Sequence, residues 1–277
     1  MDSTDRDEIP VERAVLQQLV IKLLQRKGMF AAEAEIVADR MIEADSHGQH
    51  RCGVGSLPVF LEAMDLGDID PRARTIVVSD TPATTLIDGS SGMGHVAVTR
   101  AMLMASEKAV AVGTGAVVIK NSRPAGSLDV IARLGASRGL ITLTAASHNP
   151  MAEQSQERCL AWAIPGPQAG APILRQERQE SDDAFPLLFS LLTAGLAAAD
   201  PFPRKQKLSP AANTVEYSVL AIDPDKFGCR DSLTTKWSSL WEKNTVASQS
   251  EGHVSLDSSI AGQLRELATK IKFQVTW

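Results

Sequence analysis

Cysteine is scarce in this sequence, which excludes a disulfide-rich secreted scaffold. Its three cysteines, Cys52, Cys159 and Cys229, are odd in number and lack the paired spacing of zinc ligands. Free cysteines of this kind are typical of a reducing compartment, so a cytoplasmic location is expected.

Long apolar runs and an excess of positive charge are also lacking. No apolar stretch reaches the roughly eighteen residues that a membrane span needs. The start of the chain is acidic and polar, unlike a basic signal peptide. A net charge of −5 gives no support for nucleic acid or an anionic membrane as a partner.

What remains is the composition of an ordinary globular protein. The 277 residues are 44% hydrophobic and 22% charged, enough for one large domain or two intimate ones. Helical spacing of apolar residues predicts helices over 11–27 (with Pro10 at the first helical position), 31–44, 57–66, 94–112, 127–137, 185–199, 232–243 and 258–272. Apolar and β-branched runs predict strands over 75–78, 84–87, 116–120, 140–145 and 215–222. This alternation indicates an α/β fold with a largely buried sheet.

The segment 41–67 carries the residues best suited to proton transfer. His47 and His50 lie in a glycine-rich bend between two helical patterns, and imidazole is the usual proton carrier near neutral pH. Cys52 could act as a nucleophile if His50 were its base. No second histidine or cysteine cluster accompanies them, so no metal site is expected. Two solvated histidines near a helix end are the simpler alternative.

A second glycine-rich stretch, 88–102, invites a nucleotide-binding interpretation. Its glycines precede a helix, but their spacing fits neither the dinucleotide fingerprint nor a P-loop. A tight turn entering a helix explains the pattern equally well. His148, in the loop after a predicted strand, is a weak candidate for contact with a cofactor.

Several segments together resemble the malate/L-lactate dehydrogenase family that lacks the Rossmann fold. The similar segments are MIEAD and LPVFLEAMDLGDIDP around the bend, IDGSSGMGHVAVTRAM, AVVIKNS, LAWAIPGP and YSVLAIDPDKFG. The resemblance implies a mixed central sheet with helices, a helical N-terminal subdomain and a homodimer. It also implies NAD or NADP as cofactor and a small 2-oxo or 2-hydroxy acid as substrate. In that family a histidine in a Ser-His-Gly triplet exchanges the proton with the substrate oxygen.

The resemblance breaks down where the family keeps its site residues. Counted without gaps, the family triplet falls on Arg51, Cys52 and Gly53, whereas the chain's own Ser-His-Gly lies five residues earlier. The later substrate-site histidine has become Pro124, which cannot donate a proton. Further losses affect a Gly-Thr-Asn-Pro segment, replaced at 156–159, and loops missing between about 175 and 185.

Two functional hypotheses follow from this pattern. The first is an NAD(P)-dependent oxidoreductase of 2-hydroxy or 2-oxo acids, using His47, His50 or Cys52 for proton transfer. By resemblance, Arg51, Asn121 and Ser122 would then bind the substrate. The second is a degenerate member with a divergent active site that binds a metabolite or dimerises, because losing a general acid costs about 10² to 10⁴ in rate.

The resemblance also suggests a division of the chain. A helical N-terminal segment over 1–72 is expected to pack with the C-terminal helices. An α/β cofactor or substrate domain follows over 73–213, and a C-terminal strand with helices covers 214–277.

Overall fold

The computed structural model describes residues 8–147, 158–164, 173–179, 191–198, 209–231 and 252–277. Its helices are α1 (Arg13–Arg26), α2 (Ala31–Ser46), α3 (Leu57–Asp65), α4 (Gly94–Val112), α5 (Leu128–Ala136) and α6 (Ser258–Lys270). Its strands are β1 (Glu8–Glu12), β2 (Ile76–Asp80), β3 (Thr84–Asp88), β4 (Thr114–Ser122), β5 (Ile141–Ala146), β6 (Arg158–Ile164), β7 (Ile173–Gln179), β8 (Val215–Ile222) and β9 (His253–Asp257).

The central element is a seven-stranded mixed sheet with the order β2-β3-β4-β8-β5-β6-β7. The β3–β4 pair is parallel, because α4 carries the chain back between them, and the other pairs in this sheet are antiparallel. With helices packed on this sheet, the expected α/β fold with a mixed sheet is confirmed.

The N-terminal helices form the helical subdomain that was expected, with a core of its own. Leu16, Leu19 and Leu23 recur at helical spacing on α1 and are buried among α2, α3, α6 and β9. The prediction that Pro10 begins the first helix is wrong. Pro10 lies in β1, opposite Ser255 of β9, in a two-stranded sheet where proline is tolerated, and the helix begins at Arg13.

A second apolar cluster lies between α4, α5 and one face of the large sheet. It includes Met102 and Ile131 from the two helices and Ile119 and Val219 from the central strands. Polar contacts join the two clusters. The guanidinium of Arg100 on α4, for example, donates to the Glu33 carboxylate on α2 at 2.6 Å.

Other secondary-structure predictions had mixed outcomes. The helix over 94–112 and the strand over 215–222 are confirmed at both ends. The strands β7 and β9 were not predicted, and only a single turn of π-helix, Leu191–Gly195, is described within the predicted helix over 185–199. The predicted helix over 232–243 lies outside the described residues. The three-part division of the chain stays a prediction, although β8 lies in the middle of the large sheet.

His95, in the first turn of α4, is the histidine most deeply buried among the described residues. Its ring packs edge-on against Phe60 of α3, with 5.3 Å between the ring centroids, and neither ring nitrogen has a hydrogen-bond partner. Burial, with a smaller contribution from the positive charge of Arg40, lowers the pKa of His95 to about 3. The imidazole is therefore neutral at physiological pH and acts as a core side chain.

The depressed pKa of His95 predicts a pH-dependent stability that His95→Leu removes. The unfolded chain takes up a proton on this residue below about pH 6.5, but the folded chain does not, so stability is lost as the pH falls. Between pH 6.5 and 5.0 the unfolding free energy of the wild type should fall by about 1 to 2 kcal/mol more than that of the variant.

Urea unfolding at several pH values in this range measures the difference. The exposed His253 provides the matched control, His253→Leu, which should keep the wild-type slope. Parallel slopes for the wild type and His95→Leu would contradict the burial of a neutral imidazole.

Candidate functional site

A buried carboxylate, Asp45, organises the bend that follows α2. The residue is 0% exposed and lies one position before the end of the helix. Its Oδ1 is 3.1 Å from His50 Nδ1, and its Oδ2 accepts a hydrogen bond from the backbone amide of Val54 at 2.8 Å. Asp45 therefore ties together residues on both sides of the bend.

The close approach of Asp45 explains why Gly53 must be a glycine. A Cβ atom at this position would lie 2.1 Å from Asp45 Oδ1, well inside van der Waals contact. Burial raises the pKa of Asp45, while the bonds from His50 and Val54 act in the opposite direction. The carboxylate thus depends on these two donors to remain charged.

His50 is the candidate whose geometry suits proton exchange. The side chain of His50 is 30% exposed, and the residue is the first of a short 3₁₀ turn, His50–Cys52. Because Asp45 accepts the Nδ1 proton, Nε2 is the ring position at which a proton would be exchanged with a substrate. A buried carboxylate behind an imidazole fixes its orientation and stabilises its protonated form.

His47 is held in a different way. It follows the last residue of α2, and its Nδ1 donates to the Glu43 carbonyl at 2.7 Å. Burial lowers the pKa of His47, and the positive charges of Arg133 and Arg13 lower it further. The ring is therefore biased toward the neutral form and is a poor proton donor.

The bend packs against the segment 121–129, which leads into α5. Gln49 joins the two, since its amide nitrogen donates to the Asp129 carboxylate and its amide oxygen accepts from the Ser127 hydroxyl. At Gly126, an added Cβ would lie 3.2 Å from the Cys52 carbonyl oxygen. Two segments that the resemblance assigned to one site are therefore in contact.

Arg51 and Cys52 occupy the bend beside His50. Arg51 is exposed, while Cys52 is half-buried. The structure thus brings His47, His50, Arg51 and Cys52 into one bend, in which His50 pairs with the buried carboxylate of Asp45.

Asn121 and Ser122 lie at the carboxyl end of β4, beside the end of β3. Asn121 is exposed, has a φ of 52°, and donates from Nδ2 to Asp88 Oδ1 at 3.0 Å. Ser91, also at positive φ, donates to Asn121 Oδ1 at 3.1 Å. Ser122 is fully buried. Strained, exposed polar residues at the carboxyl ends of parallel strands are typical of a ligand-binding edge. The substrate-binding roles of both residues stay predictions.

The glycines at the start of α4 allow other segments of the chain to pack closely against the backbone. An added Cβ would lie 2.6 Å from Ala73 at Gly92 and 2.0 Å from the Arg123 carbonyl oxygen at Gly94. Other parts of the chain therefore pack closely against the backbone at both glycines. This geometry supports the simpler interpretation of the stretch, a tight turn that enters a helix.

Arg123 anchors the loop beside the bend. Its side chain is nearly buried and donates to the Asp68 carbonyl at 2.9 Å, the Ala212 carbonyl at 3.0 Å and the Thr214 hydroxyl at 2.9 Å. These contacts were not predicted from the sequence, because the partners lie 55 to 91 residues away.

His148, the candidate for contact with a cofactor, lies outside the described residues. Within the described part of the chain, no group of three potential ligands could hold a metal ion. No helix described there is both long and apolar enough to cross a membrane.

Comparison with curated proteins finds archaeal dehydrogenases. The L-sulfolactate dehydrogenase of Methanocaldococcus jannaschii is 33% identical over 134 residues, which cover 48% of this chain and 39% of that protein. A malate dehydrogenase of Pyrococcus abyssi is 30% identical over 175 residues, which cover 61% of this chain and 48% of that protein. The chain thus spans less than half the length of these relatives.

The solved structures show that the fold is shared beyond the matched sequence. The malate dehydrogenase of Pyrococcus horikoshii OT3 superposes with a TM-score of 0.82 at 18% identity, covering 100% of this chain and 99% of that one. Sulfolactate dehydrogenase from Methanocaldococcus jannaschii gives a TM-score of 0.75 at 20% identity, with 96% and 98% covered. At these identities the likeness establishes the fold alone.

The matched family accounts for both the fold and the bend. A family model described as malate/L-lactate dehydrogenase matches residues 11–160, more than half of the chain, from the end of β1 to the beginning of β6. The bend with Asp45 and His50 and the segment packed against it lie within this match. The chain therefore belongs to the malate/L-lactate dehydrogenase family of oxidoreductases.

Proposed function

We propose that this protein is an NAD(P)-dependent oxidoreductase of small 2-hydroxy or 2-oxo acids in which His50 carries the proton. The observation that supports the proposal is the pairing of His50 Nδ1 with the buried Asp45 carboxylate at 3.1 Å. A carboxylate and an imidazole in this arrangement form a general acid–base pair. Because the matched relatives are only partly covered, the activity of the whole protein is part of the proposal.

His50 is preferred over the other two candidates on electrostatic grounds. His47 donates its Nδ1 proton to a helix carbonyl, and its lowered pKa disfavours the protonated form. Cys52 stands in the register of the family histidine, but a thiol normally titrates near pH 8.5 and hydrogen-bonds weakly. His50 lies only two residues from Cys52, so a modest difference in substrate position would bring the imidazole to the reacting oxygen.

The roles of the remaining residues follow from their placement. NADH or NADPH, when bound, supplies the hydride to C2 of the substrate. Protonated His50 donates from Nε2 to the oxygen on C2 during reduction and accepts that proton during oxidation. Asp45 orients the ring and stabilises its charge. Arg51, exposed next to His50, offers a guanidinium for the substrate carboxylate. Asn121 offers an exposed amide at the edge where α/β sheets bind ligands.

The cellular setting is part of the same proposal. The three cysteines, odd in number and without the spacing of metal ligands, suit a reducing cytoplasm. A homodimer is expected by family resemblance, with no nucleic acid or membrane as partner. The other candidate function, a non-catalytic metabolite-binding member, would keep the fold and lose the cofactor.

Binding of a reduced dinucleotide separates the two candidate functions. If the protein is a dehydrogenase, NADH or NADPH at one hundred times its dissociation constant should add about 2.7 kcal/mol of stability. A rise in melting temperature, followed by differential scanning fluorimetry across a titration, would measure it. AMP and nicotinamide mononucleotide serve as half-ligand controls. No shift with either dinucleotide at millimolar concentration would overturn the enzyme proposal.

Replacing the proposed proton carrier should slow turnover sharply. His50→Gln retains a polar side chain but has no titratable nitrogen, so kcat in the reduction of 2-oxo acids should fall about 10² to 10⁴-fold. A panel of 2-oxo acids that begins with oxaloacetate, followed by NADH and NADPH absorbance, provides the assay.

Two matched substitutions identify which histidine acts. His47→Gln should stay within about tenfold of the wild type, because its ring is held against the helix. His253→Gln, an exposed position on β9, should have no effect. A larger loss in His47→Gln than in His50→Gln would transfer the role to His47.

Asp45 is assigned a positioning role, which Asp45→Asn tests through the pH profile. Reduction requires a protonated imidazole, and the carboxylate favours that form. In the variant, the pH at which the reduction rate is half-maximal should move down by about one unit. Circular dichroism confirms that the variant is folded. An unchanged midpoint in a folded variant would show that the carboxylate has only a structural role.

A further inference from the structure

Arg133, in the last turn of α5, buries one edge of its guanidinium without a hydrogen-bond partner. The residue is 6% exposed. Its Nε and Nη2 atoms are both buried, and neither donates to any residue that the structure describes. These two atoms form the lateral edge of the guanidinium, whose parallel N–H groups match two oxygens of a carboxylate, sulfate or phosphate. Buried donors are costly without an acceptor, so this edge is suited to an anionic ligand.

The two carboxylates near Arg133 are engaged by other groups. Asp129, one turn earlier on α5, accepts a hydrogen bond from the Gln49 amide. Glu43 on α2 lies 2.9 Å from Nη1 of Arg40. Burial lowers the pKa of Arg133, and the negative charges of Asp129 and Glu43 act in the opposite direction. The guanidinium therefore stays charged at neutral pH while its lateral edge lacks an acceptor.

The end of α2 adds further positive charge at this junction. Arg13, the first residue of α1, donates from Nη1 to Ser46 Oγ at 3.1 Å, next to His47. The charged side chains that act on the His47 ring come from three helices and are Arg13, Glu43 and Arg133. Two of them are positive and one is negative, so an anion beside the ring would balance the excess.

The His47 ring completes the site when it is protonated. Its Nδ1 is bonded to the Glu43 carbonyl, so Nε2 is the ring atom that would donate to a ligand. Gly48 follows in an exposed turn, where an added Cβ would meet no described atom within 4 Å, so this side of the ring is open to solvent. The nearby Asp45 carboxylate is paired with His50 and does not compete for the ring.

We propose that the junction of α2 and α5 is a binding site for a small oxyanion, held by the lateral edge of Arg133 and by protonated His47. The ligand is defined by two oxygens in the plane of the guanidinium, as a carboxylate, sulfate or phosphate group presents them. The exposed Arg51, to which the substrate carboxylate is assigned, is not part of this site. The proposal does not depend on the dehydrogenase activity.

The pKa of His47 in the full chain reports whether the site is occupied. An oxyanion beside the ring stabilises its protonated form, so sulfate should raise the pKa of His47 by about one unit relative to chloride at equal ionic strength. NMR spectra of the histidine Cε1–H groups across a pH titration measure the shift, and His47→Gln assigns the signal. The exposed His253 is the internal control, and its pKa should not respond.

A parallel titration with acetate distinguishes the sources of the oxyanion. A response to both anions supports a site that accepts carboxylates, whereas a response to sulfate alone supports a site for sulfate or phosphate groups. By linkage, the affinity for sulfate should rise as the pH falls through the pKa of His47. An unchanged pKa of His47 with both anions would overturn the proposal.

Variants of Arg133 test the bidentate contact by isothermal titration calorimetry with sulfate. Arg133→Met should weaken binding at least about tenfold, because a charge-assisted pair of hydrogen bonds is lost. Arg133→Lys keeps the charge without the fork and should also weaken binding about tenfold. Arg138→Met, at an exposed arginine just after α5, is the matched control and should bind as the wild type does.

Circular dichroism shows whether these variants are folded, and the response of His47 in the wild type provides a test that needs no substitution at Arg133. Wild-type affinity in folded Arg133→Met would overturn the proposal. Wild-type affinity in folded Arg133→Lys would overturn the bidentate contact.

Arg51→Met separates this site from the proposed substrate site. The variant should keep both the affinity for sulfate and the response of His47. Loss of sulfate binding in Arg51→Met, with retention in Arg133→Met, would place the anion in the substrate site and contradict the proposal. Dinucleotide binding, followed by thermal shift, tests the proposed function separately, so the failure of one proposal is distinguished from the failure of the other.

Discussion

The arrangement of the candidate site depends on the burial of one charge. Asp45 is removed from solvent at the end of α2, and a carboxylate in such a place is costly unless donors surround it. The imidazole of His50 and the amide of Val54 supply those donors, and Gly53 gives them room. The bend is therefore shaped by the need to satisfy a carboxylate, and the position of the imidazole follows from it.

The bend also lies where the two apolar clusters meet, which links the site to the whole fold. Its first residues continue α2, whose apolar face belongs to the N-terminal cluster. Gln49 then reaches Ser127 and Asp129, next to the cluster under the sheet. The His50 imidazole at this junction keeps its geometry only while both halves stay packed together, so the proposed activity would depend on the same contacts as the stability of the fold.

Elements that are determined by a local sequence pattern were predicted correctly. Elements and site contacts that depend on residues distant in the sequence were missed. The helix over 94–112 was correct at both ends because its apolar spacing is long and Gly113 ends it with a φ of 99°. The strand β7 was missed because its residues are mostly polar, and only the neighbour β6 makes it a strand. Histidines in the bend were visible as candidates, but the choice of His50 needed the burial of Asp45, which no local pattern reports.

The pairing of β1 with β9 has a consequence for how the chain acquires its structure. The core of the N-terminal helices includes Val254, Leu256 and Leu264, which are synthesised some 240 residues after the first helix. Contacts of such long separation form slowly. During translation, the apolar faces of α1 and α2 therefore remain partly uncovered until these C-terminal residues are synthesised. In this interval the nascent protein would benefit most from a chaperone.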